Sequence, residues 1–157
     1  KAPERQTIDV PELVRNCLEM AELGSGEGTS FLNSELESDL PPLQADPVQI
    51  RQILINLLRN AREAVSDVPV KKVTLSVSKN GDRLEFRVKD NGPGIPDDLR
   101  RHLFDPFITT KMGGTGLGLA LVAKFVGDHG GVIDVESQPR QTVFSVLLPM
   151  MRDNKSG

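Results

Sequence analysis

Two runs of alternating apolar residues meet at a glycine and then run out into a long glycine-rich loop, and few folds accept that order. From Lys72 to Lys79, Val73, Leu75 and Val77 alternate with polar residues; from Arg83 to Lys89, Leu84, Phe86 and Val88 do the same, with Asn80-Gly81 between the runs. Period-two alternation places one side of each run in a core, and Asn-Gly is a strong hairpin signal. The pair predicts an antiparallel hairpin whose second strand is central and ends at Asp90. Lys89 to Leu119 then leaves the sheet through Gly92, Gly94, Gly113, Gly114, Gly116 and Gly118. Glycines there permit positive φ and close backbone approach to a ligand, and a long loop inside a compact domain is more often functional than idle. A phosphate-bearing ligand is the first class this suggests.

Helices fill the spaces around the hairpins. Asp46-Pro47-Val48-Gln49 reads as a helix start, with Asp46 as cap, Pro47 at the first helical position and Gln49 at the reciprocal position of a capping box. The helix is expected to reach Val65 and to bury Ile50, Ile53, Leu54, Leu57, Leu58 and Ala61 against a sheet. Asn60 falls on the edge of that stripe, with Asn56 and Glu63 farther round the same shoulder, where they would border a cleft; Arg51, Arg59 and Arg62 read as a solvated face. Upstream, Gln6 to Val10 reads as a short strand. A helix to about Leu23 follows, its start marked by Asp9 and Glu12, and it buries Leu13, Val14, Cys17, Leu18 and Ala21, so Cys17 is a core residue. Gly24 to Gly28 breaks that helix, Ser30 to Leu36 reads as a strand, and Pro41-Pro42 as a loop. Downstream of the glycine loop, Leu117 to His129 has helical periodicity and Gly130-Gly131 stops it. Val132 to Glu136 and Thr142 to Leu148 form a second hairpin joined by Ser137 to Gln141. The expected fold is an α/β two-layer sandwich, a mixed and mostly antiparallel sheet with helices on one face. It would span residues 1–150 as one domain, with 151–157 as a frayed tail.

The composition narrows the partners. Against 22 acidic residues stand 19 basic ones, a net charge of −3, which argues against broad nucleic-acid binding. A single cysteine excludes an internal disulfide and a cysteine-based zinc site, and is compatible with a reducing compartment. No apolar run approaches the roughly 18 residues needed to span a bilayer, and the first residues do not resemble a secretory signal. The expectation is a cytoplasmic chain without nucleic-acid or membrane partners, whose abrupt start suggests excision from a longer protein.

Neither common phosphate motif is present. A Walker loop requires Gly, four intervening residues and Gly-Lys-Ser/Thr, and a dinucleotide fingerprint belongs between the first strand and helix, whereas Gly116-Leu117-Gly118 comes late and lacks the third glycine. What the chain does carry, in order, is Asn56-Leu57-Leu58-Arg59-Asn60-Ala61, Asp90-Asn91-Gly92-Pro93-Gly94-Ile95, Leu103-Phe104-Asp105-Pro106-Phe107 and Gly114-Thr115-Gly116-Leu117-Gly118-Leu119. This set resembles the N, G1, F and G2 boxes of the catalytic ATP-binding domains of sensor histidine kinases, within the wider group that includes gyrase, Hsp90 and mismatch-repair ATPases. The resemblance covers nearly the whole chain and implies the Bergerat-type ATP-binding fold. Phe107-Ile108-Thr109-Thr110-Lys111 and Gly127-Asp128-His129-Gly130-Gly131 look like nitrogen-regulation sensor kinases of the NtrB type.

The resemblance also implies roles. Asp90 would accept a hydrogen bond from the exocyclic amine of adenine, Gly92 and Gly94 would turn the backbone beneath the base, Ile95 would pack on it, and Thr142 would help hold it through a water-linked network, although the glycine pattern before that threonine is replaced by Pro139-Arg140-Gln141. Asn60 would be the Mg²⁺ ligand, an oxygen donor of the kind that ion prefers. Asn56, one turn earlier, would assist through phosphate or water contacts. Lys111 and the backbone of Gly114, Thr115, Gly116, Leu117, Gly118 and Leu119 would meet the phosphates of ATP, with Phe104 and Phe107 anchoring a lid. Catalytic roles would fall to Asn56, Asn60 and Lys111. Gyrase-like ATPases carry a water-activating glutamate where this chain has Asn56, and an amide is no general base, so the site reads as built for phosphoryl transfer rather than hydrolysis. His102 and His129 lack the acceptor context of the family, which places the phosphorylated histidine on an upstream dimerisation domain absent from this chain. A response regulator and a PII-type signalling protein are the further implied partners. An anti-sigma-type protein serine kinase and a noncatalytic nucleotide-dependent module are the alternatives.

Overall fold

A computed structural model describes residues 2–22, 31–105 and 117–150, with only the backbone of residue 117. In chain order the elements are β1 (Gln6–Ile8), α1 (Val10–Glu22), β2 (Leu32–Leu36), β3 (Leu43–Ala45), α2 (Pro47–Ala64), β4 (Val73–Asn80), β5 (Arg83–Asp90), α3 (Asp97–Arg100), α4 (Leu117–Asp128), β6 (Val132–Gln138) and β7 (Gln141–Pro149). Five strands form one sheet in the order β2-β4-β5-β7-β6, so β5 is its centre. Only the β2–β4 pair is parallel; β4–β5, β5–β7 and β6–β7 are antiparallel. The sheet is mixed and mostly antiparallel, as the hairpin pattern predicts.

Alternation along the strands decides the layers. Leu75, Val77, Leu84, Phe86, Val88, Phe144, Val146 and Leu148 are buried and share one apolar cluster with the stripe of α2 (Ile50, Ile53, Leu54, Leu57, Leu58 and Ala61) and with Leu13, Val14, Cys17 and Ala21 of α1. Burial pushes the Cys17 thiol up to about 12, with Arg51 pulling the other way, so this cysteine is an inert core side chain. Arg51 and Arg62 depart from the expected solvated face. Arg51 lies close enough to act on Cys17, and the Arg62 guanidinium donates to the Ala21 carbonyl at the end of α1, leaving Arg59 as the exposed member of the three. A long arginine stem along apolar surface explains the difference.

The loops are tighter than the sequence suggests. Register pairs Asn80 with Arg83, so the first hairpin turns on Gly81-Asp82, with Gly81 at φ 66. In the second, Gln138 pairs with Gln141 and the turn is Pro139-Arg140, Arg140 taking φ 71. Ser137 therefore belongs to β6 and not to the connection. A small sheet of β1 and β3 was not expected, because three residues after Pro41-Pro42 are too few to show alternation.

The start of α2 is a junction. Asp46 accepts the Val48 and Gln49 N–H groups at 3.0 and 3.3 Å through Oδ1 and the Glu4 N–H at 2.9 Å through Oδ2. The reciprocal half of the capping box is not made by Gln49, whose buried Oε1 has no partner among the described residues. The Asp46 N–H goes instead to Nε2 of His129 at 3.1 Å, and the other ring nitrogen of His129 reaches the Phe125 carbonyl at 2.9 Å. A neutral imidazole with its proton on Nδ1 satisfies both contacts. At the same corner α4 ends in a Schellman motif: Gly131 N–H reaches the Val126 carbonyl and Gly130 N–H the Gly127 carbonyl, both at 2.9 Å, with Gly130 at φ 72.

Burial raises the Asp46 carboxyl, but its three backbone donors outweigh that and hold it below the usual carboxylate range. A depressed folded pKa contributes stability above the unfolded pKa and loses it as pH falls through the folded one. Asp46→Ala is expected to cost about 1 to 2 kcal/mol at pH 7, with a smaller gap at pH 3; urea unfolding at the two pH values checks both.

Candidate functional site

The central strand ends on a buried acid. Asp90 is 3% exposed, and desolvation pushes its pKa up to about 6 against the opposing pull of the Gly92 N–H, which donates to Oδ1 at 2.8 Å. Among the described residues Oδ2 makes no hydrogen bond. A carboxylate so placed is a strong acceptor in search of a donor. Across the sheet Asp90 stands opposite Val73 of β4 and Thr142 of β7, and Thr142 stands opposite Ser137 of β6. One row of the sheet thus carries Asp90, Thr142 and Ser137 on three adjacent strands.

The turn after Asp90 arches over this row. Asn91 faces away: its amide donates to the Val70 carbonyl at 2.7 Å and accepts the Lys72 N–H at 2.9 Å, clipping the end of β5 to the segment before β4. Gly92 lies so close to the end of α2 that a Cβ there would stand 2.7 Å from the Ala64 carbonyl oxygen. Gly94 has φ 94, and a Cβ on it would meet the Gln138 carbonyl oxygen at 2.8 Å. Both positions require glycine. Ile95 then donates its N–H to Ser137 Oγ at 2.8 Å, and that oxygen lies 2.7 Å from Thr142 Oγ1. Beyond it, Arg100 of α3 holds the Ser137 carbonyl at 2.9 Å, and Phe104 meets Phe144 edge to face with ring centroids 6.3 Å apart.

The second wall is α2. Asn56, Asn60 and Ala64 follow one another at helical spacing on one face. Asn56 is half-buried; its Nδ2 donates to the Gly118 carbonyl in the first turn of α4 at 3.2 Å, and its Oδ1 accepts from Gln52 at 2.9 Å. Asn60 is half-buried and its side chain makes no hydrogen bond among the described residues, which leaves its amide oxygen free for a ligand. Glu63 is exposed on the same shoulder. Along this face Ala64 touches the Gly92 turn and Asn56 touches Gly118, eight helical residues apart, a rise of about 12 Å. Such a span suits an elongated ligand with chemically different ends.

Asp90, Gly92, Gly94, Ile95 and Thr142 are thus brought together at the sheet end, with Asn56, Asn60 and Gly118 along α2. Leu119 packs half-buried against the core in α4, the helix that Leu117 begins. Phe107, Lys111, Gly114, Thr115 and Gly116 lie outside the described residues. His102 is exposed and pairs with Asp105 at 3.0 Å, while His129 is buried at the α2 junction. Sequence reasoning missed Ser137, assigned to a loop, and Gln52, one turn before Asn56, whose role appears only once the helix face is known. For Ser137 the signal was its place five residues before Thr142, the separation that a two-residue turn makes directly opposite.

Comparison with known proteins agrees with this geometry. Residues 45–152 match the family described as histidine kinase-, DNA gyrase B-, and HSP90-like ATPase. The chain belongs to that family. The sensory histidine kinase/phosphatase NtrB of Azospirillum brasilense is 42% identical over 160 residues, covering 94% of this chain and 40% of its own length. This chain therefore spans about two fifths of that relative. Among solved structures, the catalytic domain of histidine kinase ThkA superposes with a TM-score of 0.82 at 31% identity, covering 95% of this chain and 99% of that one. ThkA in complex with the response regulator protein TrrA gives 0.78 at 26% identity, over 97% of this chain and 43% of that one.

For Asp90 the folded pKa of about 6 exceeds the ordinary 3.8. Between those values the native state holds a proton that the unfolded chain has released, so stability falls as pH rises through the window. Asp90→Asn is expected to stabilise the ligand-free protein at pH 7.5 by about 1 to 3 kcal/mol and to flatten its stability between pH 4 and 6, measured by urea unfolding across that range.

Proposed function

We propose that this chain binds Mg-ATP and positions it for transfer of the γ-phosphoryl group to a histidine on a dimerisation domain outside the chain, as the ATP-binding catalytic domain of a sensor histidine kinase. The buried, half-partnered carboxylate of Asp90 at the end of the central strand carries the reading. An acceptor desolvated there is complementary to the exocyclic amine of adenine, and guanine offers a carbonyl oxygen at that edge. Gly92 and Gly94 keep the floor of the site flat, Ile95 borders the base, and Thr142 stands beside Asp90 to complete the polar edge.

The phosphates would then point along α2 toward Asn60 and the start of α4. Asn60 has its carbonyl oxygen available, and no group of three His, Cys, Asp or Glu side chains able to hold a metal occurs among the described residues. A magnesium ion held by Asn60 would take its remaining ligands from phosphate and water and supply charge neutralisation on the transferring group. Asn56 holds Gly118, so the backbone N–H groups that open α4 face the phosphate end, where Lys111, Gly114, Thr115, Gly116, Leu117 and Leu119 are assigned by their motif. With no carboxylate at position 56, catalysis rests on positioning and electrostatics, the usual basis of phosphoryl transfer.

The likeness to NtrB supports nitrogen regulation as the process, and the ThkA–TrrA complex supports a response regulator as the downstream partner. A PII-type signalling protein fits the same narrower reading. Among the described residues no helix is long and apolar enough to cross a membrane, and the proposed location is the cytoplasm.

Two measurements test the proposal. Asp90→Ala is expected to weaken ATP binding at least about tenfold, the worth of one charge-assisted hydrogen bond; unchanged affinity of the folded variant in a calorimetric titration sinks the adenine assignment. Incubated with ATP and the upstream histidine-bearing domain, the chain is expected to yield an acid-labile, alkali-stable phosphoprotein. Acid-stable phosphate would instead indicate a serine kinase.

A further inference from the structure

Ser137 is held by three contacts at the rim of the site, and no role in the proposed site has yet been given to it. Its hydroxyl accepts the Ile95 N–H at 2.8 Å and pairs with Thr142 Oγ1 at 2.7 Å, while its carbonyl takes Arg100 at 2.9 Å. In the sheet it stands directly opposite Thr142, which stands directly opposite Asp90. The turn that begins at Asp90 therefore comes down at Ile95 on the same row, two strands away, a span of about 10 Å. Thr142 lies between the two anchor points at 3% exposure.

We infer that Ser137 is a positioning and base-selectivity residue of the nucleotide site, fixing the Ile95 rim and setting the direction in which Thr142 presents its proton. The inference rests on the adenine assignment at Asp90. A serine hydroxyl has one proton and two acceptor sites. One acceptor site is taken by Ile95. When the serine proton goes to Thr142 Oγ1, the proton of Thr142 is left to point outward, directly or through a water, into the edge beside Asp90. Adenine carries a bare ring-nitrogen acceptor next to its amine, so a donor from Thr142 beside an acceptor from Asp90 matches it twice. Guanine has an N–H and a carbonyl oxygen in those places and is mismatched twice. Without the serine hydroxyl the threonine loses the partner that orients it, and Ile95 loses its tether to the strand.

Calorimetric titration of the chain with ATP and with GTP, for the wild type, Ser137→Ala, Ser137→Thr, Thr142→Val and the Ser137→Ala/Thr142→Val double variant, tests this. Ser137→Ala is expected to lower ATP affinity about fivefold to tenfold, the worth of one or two neutral hydrogen bonds, with little change for GTP, so that the ATP preference narrows. Ser137→Thr keeps the hydroxyl on a strand-compatible residue and should restore the preference. Ser137→Ala should add little to the loss of ATP preference in Thr142→Val, because the serine acts on the base through the threonine. Unchanged ATP affinity in folded Ser137→Ala, or equal losses for both nucleotides with an additive double variant, overturns the role. Asp90→Ala, titrated alongside, separates the two levels: if that variant binds ATP normally, the site reading itself has failed and the role of Ser137 falls with it.

Discussion

Strand register is the constraint on which the rest of this structure depends. Asp90, Thr142 and Ser137 meet only because β5, β7 and β6 are paired so that these residues oppose one another. A slip of one residue would turn every side chain of a strand to the other face and carry Asp90 out of the site. The register is held by apolar residues on that same face: Val77, Phe86, Val146 and Ile133 form one row, and Leu75, Val88, Phe144 and Val135 the next. Each fully buried member contributes about 1.5 to 3 kcal/mol, whereas desolvating one carboxylate by about two pKa units opposes folding by about 3 kcal/mol at most. The core outweighs the acid many times over, so the sheet can hold a buried charge at its end without a counter-ion.

The helix α2 supplies the other half of the same logic. Its buried stripe is pressed on the sheet, and the adjoining shoulder carries Asn56 and Asn60 past the end of β5. Its N-terminus is tied to the C-terminus of α4 by His129, and its middle to the N-terminus of α4 by Asn56. Two contacts at opposite ends of α4 leave that helix little freedom to slide along α2. The base end and the phosphate end of the proposed ligand are in this way set at a fixed separation by one rigid element.

Strong periodic signals were legible in the sequence, and reciprocal ones were not. The hairpin at 72–90, the stripe of α2 and the central position of Asp90 follow from alternation and helical spacing, because burial on one face dictates both. The pairing of β1 with β3 left no trace, since strands of three residues carry no period. Ser137 was placed in a connection because the turn at Pro139-Arg140 needs positive φ at a non-glycine residue, which composition argues against. Gln49 was expected to complete a capping box, yet the donor it would have served is taken by His129, more than eighty residues away. Local motif reasoning cannot see a competitor that arrives through the tertiary fold.

The contact made by Asn56 bears on reaction class beyond the absence of a general base. Its amide must donate to the Gly118 carbonyl while accepting from Gln52, and the two halves of the side chain are thereby assigned. A carboxylate in its place could accept from Gln52 but would set an oxygen without a proton against the Gly118 carbonyl, a repulsive pairing at half-buried depth. The start of α4 would then lose this tie to α2. An aspartate at position 56 would therefore weaken the present docking of α4 on α2. On the proposed reading, the residue that supplies no general base also pins the helix start beside the proposed phosphate end, which links the proposed choice of phosphoryl transfer over hydrolysis to the packing of α4 on α2.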